Sequence, residues 1–163
     1  SGLAYREGLV KNRYVGRTFI EPDQRIRDIG VRLKFNPLPA VLEGQRVVVV
    51  DDSIVRGTTT PHVVNLIRQA GAQEVHLRVC APPIISPCYF GVDFATRAEL
   101  VGANMTIPEI CQFVGADSLG YLTLDGLFKA MDAPPTNYCY GCFSGRYPID
   151  IQLDLDKLIL EKA

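Results

Sequence analysis

Four consecutive valines, Val47–Val50, run directly into two aspartates, Asp51-Asp52. An unbroken β-branched run of this kind reads as a strand buried on both faces, the usual state of a central strand in a parallel sheet. A loop rich in Gly and Thr follows, Ser53–Thr60, and Pro61 then suits the first turn of a helix. Val63, Val64, Leu66, Ile67 and Ala70 recur at helical spacing over His62–Ala70, and Gly71 ends the helix. Glu74–Ala81 is the next strand. Strand, helix and strand in this order form a βαβ unit with a right-handed crossover. The expected class is α/β: a parallel central sheet flanked by helices, with helices on both faces.

The rest of the chain continues the alternation. Spacing predicts a strand near Leu3–Val10, short helices at Arg97–Gly102 and Ile107–Val114, a strand near Leu119–Leu122 and a helix over Leu124–Met131. The tail, Ile149–Ala163, mixes apolar and acidic residues and reads as a closing helix. At 163 residues the chain fits one domain with room for its own core. Charge is uneven. Residues 1–34 hold Arg6, Lys11, Arg13, Arg17, Arg25, Arg27, Arg32 and Lys34 against four acids, Glu7, Glu21, Asp23 and Asp28. With no clean period there, residues 1–36 read as a flexible basic loop region, and loops that long in compact domains are usually functional or disordered.

Composition excludes several classes. Lys and Arg number 17 and Asp and Glu 18, so the net charge is -1 and no nucleic-acid partner is expected. No apolar run is long enough to span a membrane. Ser1–Val10 lacks the apolar region of a secretory signal, so the expected compartment is the cytoplasm. Five cysteines, an odd number, argue against a disulfide framework and for a reducing environment.

The chemistry concentrates after the valine run. Ligands of open α/β sheets bind beyond the carboxyl ends of the strands, where Asp51 and Asp52 stand. The following loop opens a helix, whose N-terminal N–H groups attract phosphate. Gly57 allows close backbone approach, and Thr58 and Thr59 add hydroxyl donors. The carboxylates repel phosphate but suit sugar hydroxyls or a hard cation such as Mg²⁺. Together they describe a site for a phosphorylated sugar. The plainer alternative is an acid pair that caps a helix. A P-loop is excluded, because no Gly-Lys-Ser/Thr ending is present.

The string Val50-Asp51-Asp52-Ser53-Ile54-Val55-Arg56-Gly57-Thr58-Thr59 resembles the phosphoribosyl-pyrophosphate (PRPP) motif of the type I phosphoribosyltransferases. Tyr5–Ile20 is similar to the flexible catalytic loop of the glutamine PRPP amidotransferases, and the likeness continues through Gly115–Leu119 to Cys139–Phe143. The resemblance implies a type I phosphoribosyltransferase fold, seen in part: the first strand and the pyrophosphate loop are missing from residues 1–163, and no part of these residues resembles the glutaminase domain. Residues 1–163 are then expected to be a C-terminal fragment, with a cysteine loop and tail over residues 134–163. Gly30 stands where the family usually has Ser, and Ile85 where a basic residue is common.

The implied activity is conversion of PRPP and glutamine-derived ammonia to 5-phosphoribosylamine and pyrophosphate, the first step of purine synthesis. The resemblance assigns PRPP to Asp51, Asp52, Ser53, Ile54, Val55, Arg56, Gly57, Thr58 and Thr59, with Mg²⁺ at Asp51 and Asp52. Lys11, Arg13, Tyr14 and Arg17 are the implied catalytic residues, closing over the pyrophosphate. Implied partners are ammonia from the glutaminase domain, purine nucleotide inhibitors and further copies of the parent chain. A PRPP-binding regulatory module and an inactive fragment are the alternatives.

Cys139-x-x-Cys142 alone is a modest signal for a metal or redox site. One branch of the amidotransferases carries a 4Fe–4S cluster, and the resemblance maps three ligands onto Cys88, Cys139 and Cys142, the fourth lying outside this chain. Three ligands fall one short of a full set, so the isolated fragment is open to losing the cluster. The alternative is three packed thiols. Cys80 and Cys111 read as core residues, and His62 and His76 as structural ones.

Overall fold

The computed structural model describes residues 2–12, 35–92, 96–132 and 134–151. Three parallel strands form the main sheet: β3 (Arg46–Asp51), β4 (Glu74–Val79) and β5 (Ser118–Tyr121), in the order β3-β4-β5. A small antiparallel pair stands apart from it, β1 (Leu9–Lys11) with β2 (Phe35–Pro37). Helix α1 (Pro39–Leu42) links β2 toward β3, and α2 (Thr60–Gln69) makes the crossover from β3 to β4. A 3₁₀ turn (Arg97–Glu99), α3 (Val101–Asn104) and α4 (Ile107–Val114) lead to β5. Helix α5 (Leu124–Met131), a second 3₁₀ turn (Pro135–Asn137) and α6 (Gly141–Ser144) follow.

Register explains the core. Val47 lies opposite Val75, Val49 opposite Leu77, and Leu77 opposite Leu119. Strand residues alternate between faces, so this row shares one side of the sheet. Val64 and Ile67 of α2 and Ile110 and Val114 of α4 are buried in the same cluster. Helix α4 is locally well specified. Thr106 and Glu109 form a reciprocal capping box at its start, and Gly115 adopts φ +73° at its end.

The opposite face departs from expectation. Val48 and Val50 are 43% and 66% exposed, although four valines in a row read as burial on both sides. The reason is position. Among the described residues the buried side chains of α2 and α4 cluster with the Val47–Val49 face of β3. Next to these valines the face turns polar. His76 bridges Glu74 (2.8 Å) and Ser118 (2.9 Å), and Arg78 donates to Ser118 at 3.1 Å.

Two further elements differ from the sequence reading. Strand β2 and helix α1 lie in a stretch whose prolines hide any period. Cys80 is exposed rather than core, because β4 ends at Val79. The tail residues from 152 onward, read as a helix, lie outside the described residues.

Candidate functional site

Asp51 ends β3, and Asp52 follows at the carboxyl edge of the sheet. Both residues are exposed. Asp51 Oδ1 accepts the Asp52 backbone N–H at 3.0 Å, and Asp52 Oδ1 accepts the Ser53 hydroxyl at 2.9 Å. These bonds use one oxygen of each carboxylate and orient the pair. Partial loss of water, with the neighbouring Asp52 charge adding to it, pushes the Asp51 carboxyl above its ordinary range, against the lowering effect of the Asp52 N–H bond. Two adjacent hard oxygen donors of this kind fit Mg²⁺, which takes one or two carboxylates and fills its sphere with substrate oxygens and water.

The loop that follows is fixed from below. Ile54 is 3% exposed and belongs to the core, so its side chain anchors the loop and only its backbone can meet a ligand. Val55 O accepts from Val101 N at 3.0 Å. Arg56 pairs with Glu99 at 3.4 Å. Gly57 has φ +67°, and a Cβ there would stand 2.8 Å from Phe113 Cε1 and 3.2 Å from Val101 Cγ1. Glycine is therefore required twice, by backbone angle and by space.

The loop delivers the chain to α2. Thr59 precedes that helix and makes no side-chain bond to its first N–H groups, and Pro61 occupies the first turn. A helix start left without a side-chain cap presents N–H donors and the positive end of the dipole, which suits an anion. The plainer reading of the acid pair, as the cap of this helix, fails here: the bonds of Asp51 and Asp52 go to Asp52 N and Ser53 Oγ.

Lys11 is exposed at the end of β1, and among the described residues no hydrogen bond or ion pair joins it to the loop after β3. Arg13, Tyr14 and Arg17 lie outside the described residues.

A second cluster gathers the cysteines. Ile85 N and Ser86 N both donate to Cys142 O, at 2.9 and 3.1 Å, and Tyr147 donates its hydroxyl to Pro87 O. Tyr147 also packs edge-on against Tyr89 with centroids 5.0 Å apart. The Cys88 loop and the Cys139–Cys142 segment are thus tied side by side. Burial, followed by the nearby Cys88 and Cys139 thiols, pushes the Cys142 thiol up. Cys142 sits in the short helix α6 rather than in an open loop. Among the described residues no three His, Cys, Asp or Glu side chains converge on a point that could hold a metal ion. The donors suit iron–sulfur ligation in kind, and the tied loops suit it in place, but the three sulfurs do not form a closed site by themselves. Cys111 donates to Ala116 O at 3.3 Å and is structural.

Sequence reasoning missed the platform under the loop. Glu99, Val101 and Phe113 are 40 to 60 residues downstream of the motif, and only the fold brings them beneath it.

No family model matches the chain. Curated relatives do. The chain is 54% identical over 150 residues to the chloroplastic amidophosphoribosyltransferase of Glycine max, covering 92% of this chain and 26% of that protein. It is 55% identical over 154 residues to the amidophosphoribosyltransferase of Methanocaldococcus jannaschii, covering 94% of this chain and 32% of that one. Among solved structures, glutamine PRPP amidotransferase from B. subtilis, complexed with ADP and GMP, superposes with a TM-score of 0.77 at 48% identity, over 90% of this chain and 33% of that one. A structure of the allosteric regulatory enzyme of purine biosynthesis superposes with a TM-score of 0.81 at 47% identity, over 94% of this chain and 34% of that one. Among the described residues no helix is long and apolar enough to cross a membrane.

Proposed function

We propose, for a chain that belongs to the amidophosphoribosyltransferases and spans about a third of their length or less, that it is the PRPP-binding part of an enzyme that makes 5-phosphoribosylamine. Its fold, a parallel three-stranded sheet flanked by helices, is that of the type I phosphoribosyltransferases. One observation carries the reading. At the carboxyl end of β3 an oriented acid pair leads through a short loop into the start of α2, whose N-cap residue Thr59 makes no side-chain cap bond. That juxtaposition suits a ligand that is sugar on one side and phosphate on the other.

The roles follow from chemistry. Asp51 and Asp52 bind ribose hydroxyls and hold Mg²⁺. Ser53–Thr59 and the start of α2 bind the 5-phosphate through backbone N–H groups and the Thr58 and Thr59 hydroxyls. Ammonia attacks the anomeric carbon, forming a C–N bond while the C–O bond to pyrophosphate breaks. Pyrophosphate leaves with the bonding electron pair, and the nitrogen sheds a proton. Mg²⁺, when bound, neutralises charge on the pyrophosphate oxygens. Lys11, Arg13, Tyr14 and Arg17 supply cations and a hydroxyl to the leaving group and exclude water that would hydrolyse the activated sugar.

Ammonia is supplied by a glutaminase domain elsewhere in the longer enzyme. The B. subtilis relative was solved with ADP and GMP, which supports purine nucleotides as ligands of this enzyme too. Cys88, Cys139 and Cys142 would supply three of the four thiolates of a 4Fe–4S cluster, the fourth coming from outside the chain. That cluster is structural, since the reaction transfers no electrons. Relatives include chloroplastic enzymes, so family membership does not by itself set the compartment.

The test is a pyrophosphate-release assay on the longer enzyme with PRPP, Mg²⁺ and ammonium. Release that requires all three supports the proposal. Hydrolysis of PRPP with no dependence on ammonium would replace it with a different reaction.

A further inference from the structure

Glu99 divides its carboxylate between two elements. Oε2 accepts from the Thr96 backbone N–H at 3.1 Å and the Thr96 hydroxyl at 3.2 Å, closing its own 3₁₀ turn. Oε1 reaches 3.4 Å to Nε of Arg56, in the loop after β3. We infer that Glu99 is a positioning residue for the phosphate-holding loop, acting through Arg56. The inference rests on the proposed reading of that loop and assigns it a support 43 positions away in sequence.

The support is rigid where it needs to be. Asn104 Nδ2 donates to Arg97 O, Ala98 O and Leu100 O at 3.2, 3.0 and 2.8 Å, so the whole turn is cross-braced. Leu100 is fully buried, and a Cβ at Gly102 would meet Ile84 O at 2.7 Å, which seats the segment against the Ile84 backbone. From this base two ties reach adjacent loop residues: Val101 N to Val55 O at 3.0 Å, and Glu99 to Arg56. They hold the loop just before Gly57, whose left-handed angle turns the chain toward α2.

The pair is 39% and 50% exposed, so its effect is modest. An exposed pair of this kind shifts an equilibrium by at most about fivefold. Because the loop grips the 5-phosphate alike in ground and transition states, the loss should appear in KM and not in kcat.

The experiment uses the longer enzyme with Glu99→Ala, Arg56→Ala, the double variant and Thr96→Ala. Without ligand, amide exchange over Arg56–Thr59 should quicken about threefold to fivefold in Glu99→Ala. KM for PRPP should rise by a similar factor with kcat within about twofold of wild type. The double variant should match Arg56→Ala, and Thr96→Ala should lower stability while leaving exchange and KM unchanged. Glu99→Gln, which keeps the Thr96 contacts and discards the charge, carries the same test if alanine loosens the turn. Unchanged exchange in Glu99→Ala, or full additivity with Arg56→Ala, would overturn the assignment. Wild-type enzyme inert toward PRPP would refute the proposed function instead, and the exchange readout would still decide the role of Glu99.

Discussion

Gly57→Ala separates the backbone demand of the loop from its packing demand. At φ +67° an alanine costs about 1 kcal/mol relative to glycine. Its Cβ would also stand 2.8 Å from Phe113 Cε1 and 3.2 Å from Val101 Cγ1. Phe113 is 48% exposed and can swing aside, whereas Val101 is buried, so the steric part adds roughly 1–2 kcal/mol. Against this combined strain the part of the loop between the buried Ile54 anchor and Gly57 is held by one backbone bond and one half-exposed ion pair, together about 1–2 kcal/mol. The loop should therefore shift before the fold gives way. Urea denaturation should show a stability loss of no more than about 2 kcal/mol. Calorimetric titration with Mg²⁺ and PRPP should show at least a tenfold loss of affinity. Adding Phe113→Ala should recover only the part of the steric share that Phe113 contributes, leaving the Val101 contact and the backbone share. Wild-type affinity in Gly57→Ala would refute the reasoning, and complete recovery in the double variant would refute the backbone share.

Asp117 should govern part of the acid sensitivity. Its carboxylate accepts Val75 N at 2.6 Å and Arg68 Nη2 at 2.9 Å, and the Val75 bond followed by the Arg68 charge holds its carboxyl below the usual range. A lowered folded value contributes stability present above the unfolded value and lost as pH falls through the folded one. Asp117→Asn should therefore lower the melting temperature near neutral pH and flatten the decline below about pH 4, measured by thermal melts across pH. For the cysteines, anaerobically purified longer enzyme should contain iron and sulfide, and Cys139→Ser should lose most of both. Iron absent from wild type, or unchanged in the variant, would leave Cys88, Cys139 and Cys142 as packed thiols.

The parts legible in the sequence were those written locally. The valine run, Pro61 and Gly71 marked the β3-α2-β4 unit to within a residue or two, because strand period, helix start and helix stop are short-range signals. Helices α4 and α5 were likewise legible from their spacing, and the structure adds the caps that start them, Thr106 and Thr123. The acid pair and the glycine were visible for the same reason. What was not legible depends on long-range placement. Four valines cannot say which face of the strand the helices will cover, and among the described residues Val48 and Val50 are exposed on the face opposite α2 and α4. Cys80 looked like strand interior because nothing in Val79-Cys80-Ala81 marks where pairing ends. The Thr96–Glu99 capping box is locally written, but nothing near Glu99 or Phe113 in sequence marks their contacts with the loop after β3.

The acid pair is the most direct test of the account. Its carboxylates are oriented at the rim of the sheet, and Asp51 in particular has its carboxyl raised. A raised folded value gives stability that is present below the unfolded value and lost as pH rises through the folded one, so near neutral pH the ionised group is a burden on the fold. Asp51→Asn with Asp52→Asn should then leave the melting temperature equal or higher near neutral pH. Calorimetric titration of the same variant with Mg²⁺ and PRPP should show affinity reduced by at least about a hundredfold, as expected when charged anchors of ribose and metal are removed. A stable variant that binds Mg²⁺ and PRPP like wild type would contradict the account.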